Sequence, residues 1–382
     1  MNHTLSASIV GALARAGRYC WDNSESPAVI SARAAVDRAE PWTRRDVRLH
    51  SSRFPADLTF TYAGPGKYAT YFMPFLELRR SQLAVPPGPS EADADSLVDT
   101  DIMLELHVGG PPKPVRTGEA AAPRFLLPSR LQFVVPTTPR QQGILPGLPR
   151  KVRQSLARQR VRHDRDLVIT NSAEKFHDFY YNYYLPTMES RHGPAARGVD
   201  PGTAYGQIFK RGALFLLTEQ KVPVAGMACR LEPRTRTLRT RLFGVSGGEI
   251  SRYLDDATID LNVRILEWAA SNGYDFVDLS TSEPFASKGT FQFKRKLRPI
   301  VTPARNHFSR KYVTLSILRD RPAVRSFLAA NPIVTLSPDG TLQPISFHDT
   351  DLAPPASISV NAAGLRPELR VDLDELFGTS TN

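Results

Sequence analysis

Cysteine is almost absent from this chain of 382 residues, which carries Cys20 and Cys229 and no others. Two thiols so far apart cannot build a disulfide scaffold or a cysteine-rich zinc site, and their scarcity fits a reducing, cytosolic compartment. Long apolar runs are also missing: no stretch approaches the roughly 18 to 20 residues that span a bilayer. The opening MNHTLSASIVGALARAGRYCW has a short apolar patch but neither a cationic lead nor a sustained apolar core, so it does not read as a signal peptide. There is no visible internal repeat, HExxH motif, P-loop or nucleophile elbow, and no metal is expected.

The composition, 41% hydrophobic and 23% charged, is that of a globular protein with enough residues for two cores. A net charge of +11 with a pI near 9.8 makes anions attractive partners. Phosphates of a cofactor, a nucleotide-linked substrate, RNA and an anionic membrane surface all qualify. Arginine dominates the cations and its planar fork suits phosphate and carboxylate, although a GC-rich genome produces the same bias.

Up to residue 147 the pattern is broken. Alternation predicts strands over 58–64 (LTFTYAG), 101–108 (DIMLELHV) and 130–136 (RLQFVVP), with a turn-rich acidic loop over 85–96. The proline-punctuated run 136–149 reads as a domain boundary. Beyond it the order is regular. A basic helix starts near Pro149, a short strand covers 167–170, and an aromatic helix covers 173–184 with Asn171 and Glu174 as its capping pair. Strands over 212–219, 222–231 and 237–245 are joined by short turns and so are antiparallel. A helix over 255–272, apolar on two sides, then leads to a strand over 274–280, parallel to its neighbour if the helix is a crossover. A helix near 323–330 and a polar, proline-bearing tail complete the chain.

Three stretches resemble one family: LPRKVRQSLARQR at 148–160, YYLPTMESRHG at 183–193, and ASNGYDFVDLS at 270–280 followed by PFASKGTFQFKRKLRP at 284–299. In this order the chain is similar to the GNAT (N-acetyltransferase) superfamily, in its FemAB-like and BioF-like (CelD-type) branch. The resemblance implies an α/β (α+β) fold with a mixed, splayed β-sheet flanked by helices. It implies domains at 1–144 (a degenerate GNAT-like half), 145–310 (the acyltransferase) and 311–382 (an extension). It further implies a cytoplasmic N-acyltransferase with acyl-CoA as donor, acting on the amine of a sugar, nucleotide-linked or cell-envelope precursor. Two alternatives stay open: a Fem-like ligase using charged tRNA, and a non-catalytic module that binds RNA or protein.

The same resemblance places the donor's pyrophosphate at Val245, Ser246, Gly247 and Gly248, where glycines permit close backbone approach. An ordinary Gly-Gly turn is the competing reading, because the family's Q/R-x-x-G-x-G/A loop is missing. The nearest match, Arg241 to Ser246, ends in Ser and sits too far before the helix. Lys294 matches the family's FK signature and would stabilise charge at the transferring carbonyl. Tyr253 would be the general acid. Asp278, Ser280 and Glu283 lie at or just beyond the C-terminal end of a strand, the edge where α/β sheets hold ligands. Asp278 could orient or deprotonate an amine, or cap the next segment. Arg191 and His192 are candidates for holding substrate, with His192 either a base near neutrality or bonded within its own loop.

Overall fold

The computed structural model describes residues 2–49, 58–69, 71–72, 100–112, 122–138, 143–193, 198–249 and 257–378. The chain forms two compact units, each assembled from separate segments. Unit 1 comprises residues 1–22, 133–280 and 296–300, and unit 2 comprises 23–132, 281–295 and 301–382.

Along the chain the strands are β1 (Trp42–Leu49), β2 (Leu58–Pro65), β3 (Ile102–Val108), β4 (Arg124–Pro128), β5 (Leu131–Pro136), β6 (Arg165–Thr170), β7 (Gly212–Glu219), β8 (Val222–Glu232), β9 (Thr237–Val245) and β10 (Phe276–Ser282). They continue with β11 (Ile300–Pro303), β12 (Lys311–Ile317), β13 (Ile333–Leu336), β14 (Leu342–His348) and β15 (Leu369–Asp372). The helices used below are α1 (Asn2–Asn23), α2 (Pro27–Arg38), α3 (Arg150–Arg162), α4 (Ala173–Phe179), α5 (Leu185–His192), α6 (Ala257–Ser271), α7 (Gly289–Arg295) and α8 (Pro322–Ala330).

In unit 1 the strands lie in the order β5-β10-β9-β8-β7-β6. β6 through β9 are antiparallel, and β10 runs parallel to β9 with α6 as the connection. That is the hairpin, strand, helix, strand order implied by the family resemblance, in a mixed sheet flanked by helices. β7 is buried on both faces, which its unbroken apolar run requires, while β9 alternates half-buried and buried residues. The hairpin between β7 and β8 turns on Gln220 and Lys221, both at positive φ (50° and 69°), as a two-residue turn matched to strand twist demands. On α6 both expected apolar faces are covered: Ile259, Val263, Leu266, Leu261 and Ile265 are all buried.

The aromatic helix is longer and less regular than its sequence suggests. Ser172, not Asn171, caps it by accepting from the Lys175 amide at 3.3 Å. After α4 the backbone widens into a π turn at Tyr180–Tyr184, then resumes as α5. The bulge lets four rings, Phe179, Tyr180, Tyr183 and Tyr184, all be buried. It also brings the helix backbone down onto β9. A Cβ at Gly244 would sit 2.5 Å from the Tyr183 carbonyl carbon, so only glycine fits there.

Unit 2 has a five-stranded sheet in the order β1-β2-β3-β12-β4, with β12 placed between β3 and β4 by antiparallel pairing on both sides. A smaller sheet, β13-β14-β15, lies beside α8 in sequence and in contact. Strand β12 begins with Lys311, whose side chain is completely buried. Its Nζ lies 2.7 Å from the Asp37 carboxylate and donates to His307 Nδ1 at 2.8 Å and to the His307 carbonyl at 2.9 Å. Asp37, on α2, also accepts from Tyr68 at 2.6 Å and pairs with Lys67 at 2.8 Å. Burial disfavours the Asp37 charge, but the bonds from Lys311, Lys67 and Tyr68 outweigh it and hold its pKa far below the usual carboxylate range. Burial, with the nearby Arg33 and Lys67 charges, draws Lys311 down to about 8 despite Asp37. Burial and the Lys311 charge depress His307 to about 3, so it serves as a neutral acceptor.

Removing the charge from one side of such a pair strands the other. Asp37→Asn is expected to cost about 3 to 5 kcal/mol in urea unfolding. A loss below about 1 kcal/mol would show that the cluster does not hold α2 to β12.

Candidate active site

The ladder between β9 and β10 is short. Parallel pairing covers Phe276↔Thr237, Val277↔Leu238 and Asp278↔Arg239. At its last rung the buried Asp278 accepts from Arg239 Nη1 at 2.9 Å through one oxygen and from the Ser280 amide at 2.8 Å through the other. Ser280 has a left-handed φ of 65°, which turns β10 at this point. Side chains take over from the backbone ladder: Thr240 Oγ1 donates to the Asp278 carbonyl at 3.2 Å, and Ser280 Oγ donates to the Thr240 carbonyl at 3.0 Å. Asp278 and Ser280, both expected site residues, therefore meet at the place where β10 leaves β9.

Arg239 belongs to a chain of alternating charges. It pairs with Glu232 at 3.0 Å, and Glu232 pairs with Arg230 at 3.2 Å. Arg241, two residues further along the same face of β9, is different. It reaches Ser280 Oγ with a long 3.5 Å contact, and it differs from Arg239 and Arg230 in having no carboxylate partner among the described residues, while the Nε of all three is buried without a hydrogen bond. A half-buried guanidinium with an unspent donor is a costly arrangement unless something else accepts from it. The motif reading touched Arg241 only as a poor match to a phosphate loop. A sharper signal was available: in TLRTRLFGV, Arg239 and Arg241 share a strand face by their spacing of two.

The turn at Val245–Gly248 uses its residues for packing. Val245 is fully buried and donates its amide to Thr187 Oγ1 at 2.9 Å. Gly248 has a φ of 70°, and a Cβ on it would lie 2.7 Å from the Pro186 carbonyl. Its close approach is thus to α5. Ser246 accepts from the Glu249 amide at 3.3 Å, and the exposed Gly247, φ 61°, has open space around it. Of the four positions expected to receive a pyrophosphate, two are committed to α5. This arrangement does not fit a phosphate cradle, and no step is routed through one.

Arg191 is exposed on α5, which packs against β9 and this turn, and His192 is the last residue of that helix. Tyr253 and the acidic loop over 85–96 lie outside the described residues.

Unit 2 holds the other two expected residues. Glu283 is buried and hydrogen-bonded by both Arg130 and Lys288. Burial opposes its charge, but the Arg130 and Lys288 charges prevail and hold its pKa at about 2. The Arg130 guanidinium also covers the Tyr71 ring at 4.8 Å and the Phe308 ring at 5.5 Å. Lys294, on α7, donates from Nζ to the Thr281 carbonyl at 2.9 Å. Neither Arg130 nor Lys288 was singled out from the sequence, where nothing marks them apart from many other cations. Among the described residues no cluster of His, Cys, Asp and Glu could hold a metal ion, and no helix is long and apolar enough to cross a membrane.

Two outcomes follow for stability. Glu283 has a depressed pKa, so its contribution is complete above the unfolded value of 4.5 and is lost as pH falls toward 2. Wild-type stability should fall by up to about 3 kcal/mol over that window, and Glu283→Gln should flatten this part of the urea-derived profile. Gly248→Ala should cost about 1 to 3 kcal/mol from strain and overlap with α5, and Gly247→Ala about 1 kcal/mol or less. Equal effects would mean that packing on Pro186 does not constrain the turn.

No protein-family model matches the sequence, and no curated protein matches it. Solved structures do align with it at low similarity. A domain assigned to a lysylphosphatidylglycerol synthetase of Agrobacterium fabrum shares 13% identity at a TM-score of 0.36, covering 80% of this chain and 91% of its own. FemX shares 8% identity at a TM-score of 0.37, covering 74% and 95%. A protein assigned to the GNAT acetyltransferases of Novosphingobium aromaticivorans shares 13% identity at a TM-score of 0.28, covering 76% and 94%. These are proteins to which the chain is similar, and nothing about its activity is taken from them.

Proposed function

We propose that this protein transfers an acyl group from an activated donor to an amine, at the edge of unit 1 where β10 parts from β9. The observation that carries this is Arg241: a half-buried guanidinium with no carboxylate partner among the described residues, placed just beyond the rung where the backbone ladder ends. In acyl transfer the amine lone pair forms a C–N bond at the carbonyl carbon and the carbonyl oxygen gains negative charge. As the C=O re-forms, the donor's C–S or C–O bond breaks and the proton lost by the amine is balanced by one taken up by the departing sulfur or oxygen. A fixed N–H donor aimed at the carbonyl oxygen is what the step requires. Asp278 is a positioning residue in this reading, because its two oxygens are occupied by Arg239 and the Ser280 amide. Lys294 and Glu283 belong to unit 2 and carry no part of this reading. The donor is left as a choice between an acyl thioester and a charged tRNA. The acceptor class is an amino sugar or a nucleotide- or lipid-linked amine.

The test is an assay of purified protein with a panel of acyl-CoA thioesters and aminoacyl-tRNAs against amine acceptors, followed by mass spectrometry of the N-acyl product. Arg241→Ala should lower turnover by about 10² to 10³ at unchanged melting temperature, and Arg241→Lys should recover part of it. No transfer from any donor, or full activity in Arg241→Ala, would overturn the reading.

A further inference from the structure

Helix α3 is a cationic surface that the transfer site does not use. Its thirteen residues, RKVRQSLARQRVR, contain no Asp or Glu. Leu156 is buried, while Val152, Ser155 and Gln159 are half-buried on the same side. Arg150, Lys151, Arg153, Arg158 and Arg162 are all exposed and, at 3.6 residues per turn, share about half of the circumference. With a rise of about 1.5 Å per residue, the five charges extend over about 18 Å. The inward-facing cations behave differently. Arg160 pairs with Asp260 and Glu267, each at 3.2 Å, and Arg165, just past the helix, pairs with Glu219 at 3.0 Å. Neutralisation is thus confined to the packed side, and the outer side keeps its full charge.

We infer that this face of α3 docks on the phosphodiester backbone of a nucleic acid. Charge complementarity over a strip of this length is the first reason. The second is the residue type, since four of the five cations are arginines whose forked N–H donors match phosphate oxygens. The third is what the face lacks. A helix that lies in a membrane interface presents bulky apolar side chains to the lipid. Here the apolar contribution is Ala157 and the 90% exposed Val161, surrounded by guanidinium groups. Transfer from an acyl thioester at the β9–β10 edge does not call on this surface, so with that donor loss of nucleic-acid binding and loss of acyl transfer are separable.

Fluorescence anisotropy with a short mixed-sequence RNA strand, titrated from about 50 to 200 mM salt, reads this directly. Five phosphate contacts on a single strand give a slope of log K against log salt of about −3.5. The triple variant R153A/R158A/R162A should retain the wild-type melting temperature, and its slope should shrink to about −1.4 as three contacts disappear. A parallel titration with duplex DNA distinguishes the form of nucleic acid. The inference fails if the wild-type protein binds neither RNA nor duplex DNA at about 50 mM salt, or if the triple variant keeps the full slope. It fails equally if phosphatidylcholine–phosphatidylglycerol vesicles bind through these arginines and RNA does not compete.

Discussion

Arg239 and Asp278 meet on the last rung of a three-residue parallel ladder, and the shape of unit 1 at this edge depends on that pair. A parallel strand joined through a crossover helix needs a register, and a short ladder supplies little of one. The charged pair supplies the rest: Asp278 binds β9 through Arg239 and folds β10 over itself through the Ser280 amide. The left-handed φ of Ser280 persists because that amide bond and the Ser280–Thr240 bond over-determine it. Strain at a strand end, fixed by buried hydrogen bonds, positions the edge proposed for transfer. Burying Asp278 is tolerable because Glu232 and Arg230 continue the alternation of charge outward.

A second constraint acts from the helix side. The π turn at Tyr180–Tyr184 leaves no room for a side chain on Gly244, and α5 leaves none on Gly248. The two glycines allow helix backbone to touch strand and turn backbone, and Thr187 closes that contact by bonding Val245. Such close packing makes the end of β9 rigid. It also removes the turn from the role that its sequence suggested. Glycines adjacent in sequence at a strand end are ambiguous, because close approach to a phosphate and close approach to another helix demand the same absent Cβ.

That ambiguity marks the limit of what the sequence made legible. The strands from Gly212 to Val245 were readable because each is a run of apolar or alternating residues cut by turns, and local chemistry decides them. Helix α6 was readable because apolar residues line two of its faces at helical spacing, Ile259, Val263 and Leu266 on one and Leu261 and Ile265 on the other. Strand β12 went unread although Val313, Leu315 and Ile317 alternate with Thr314 and Ser316, and its place between β3 and β4 was hidden because its partners lie some two hundred positions earlier. The buried Lys311 was invisible for the same reason: its partner Asp37 is remote in sequence, and a lone lysine in a strand gives no sign of a counter-ion. At the candidate site, Asp278 and Ser280 were found by their position at a strand end. The spacing of Arg239 and Arg241 put both on one strand face, but that Asp278 pairs with the first and no carboxylate among the described residues with the second depends on a strand some forty residues later.

The excess of positive charge has to be read in the same way, by asking which cations are neutralised. Lys311 is surrounded by acceptors, and Arg130 is spent on Glu283 and two rings. Such groups add to the net charge of +11 without making a surface attractive to anions. What remains is concentrated where packing leaves arginines facing solvent together, as on the outer side of α3, and where a single guanidinium is held without a full set of acceptors, as at Arg241. The two cases differ in kind. An exposed strip acts through the number of charges it offers and is weakened by salt, because each contact displaces counter-ions. A half-buried donor acts through its fixed direction and is screened far less, because surrounding protein keeps solvent away. A chain with both can hold a polyanion loosely at one surface and respond to a single developing charge at another.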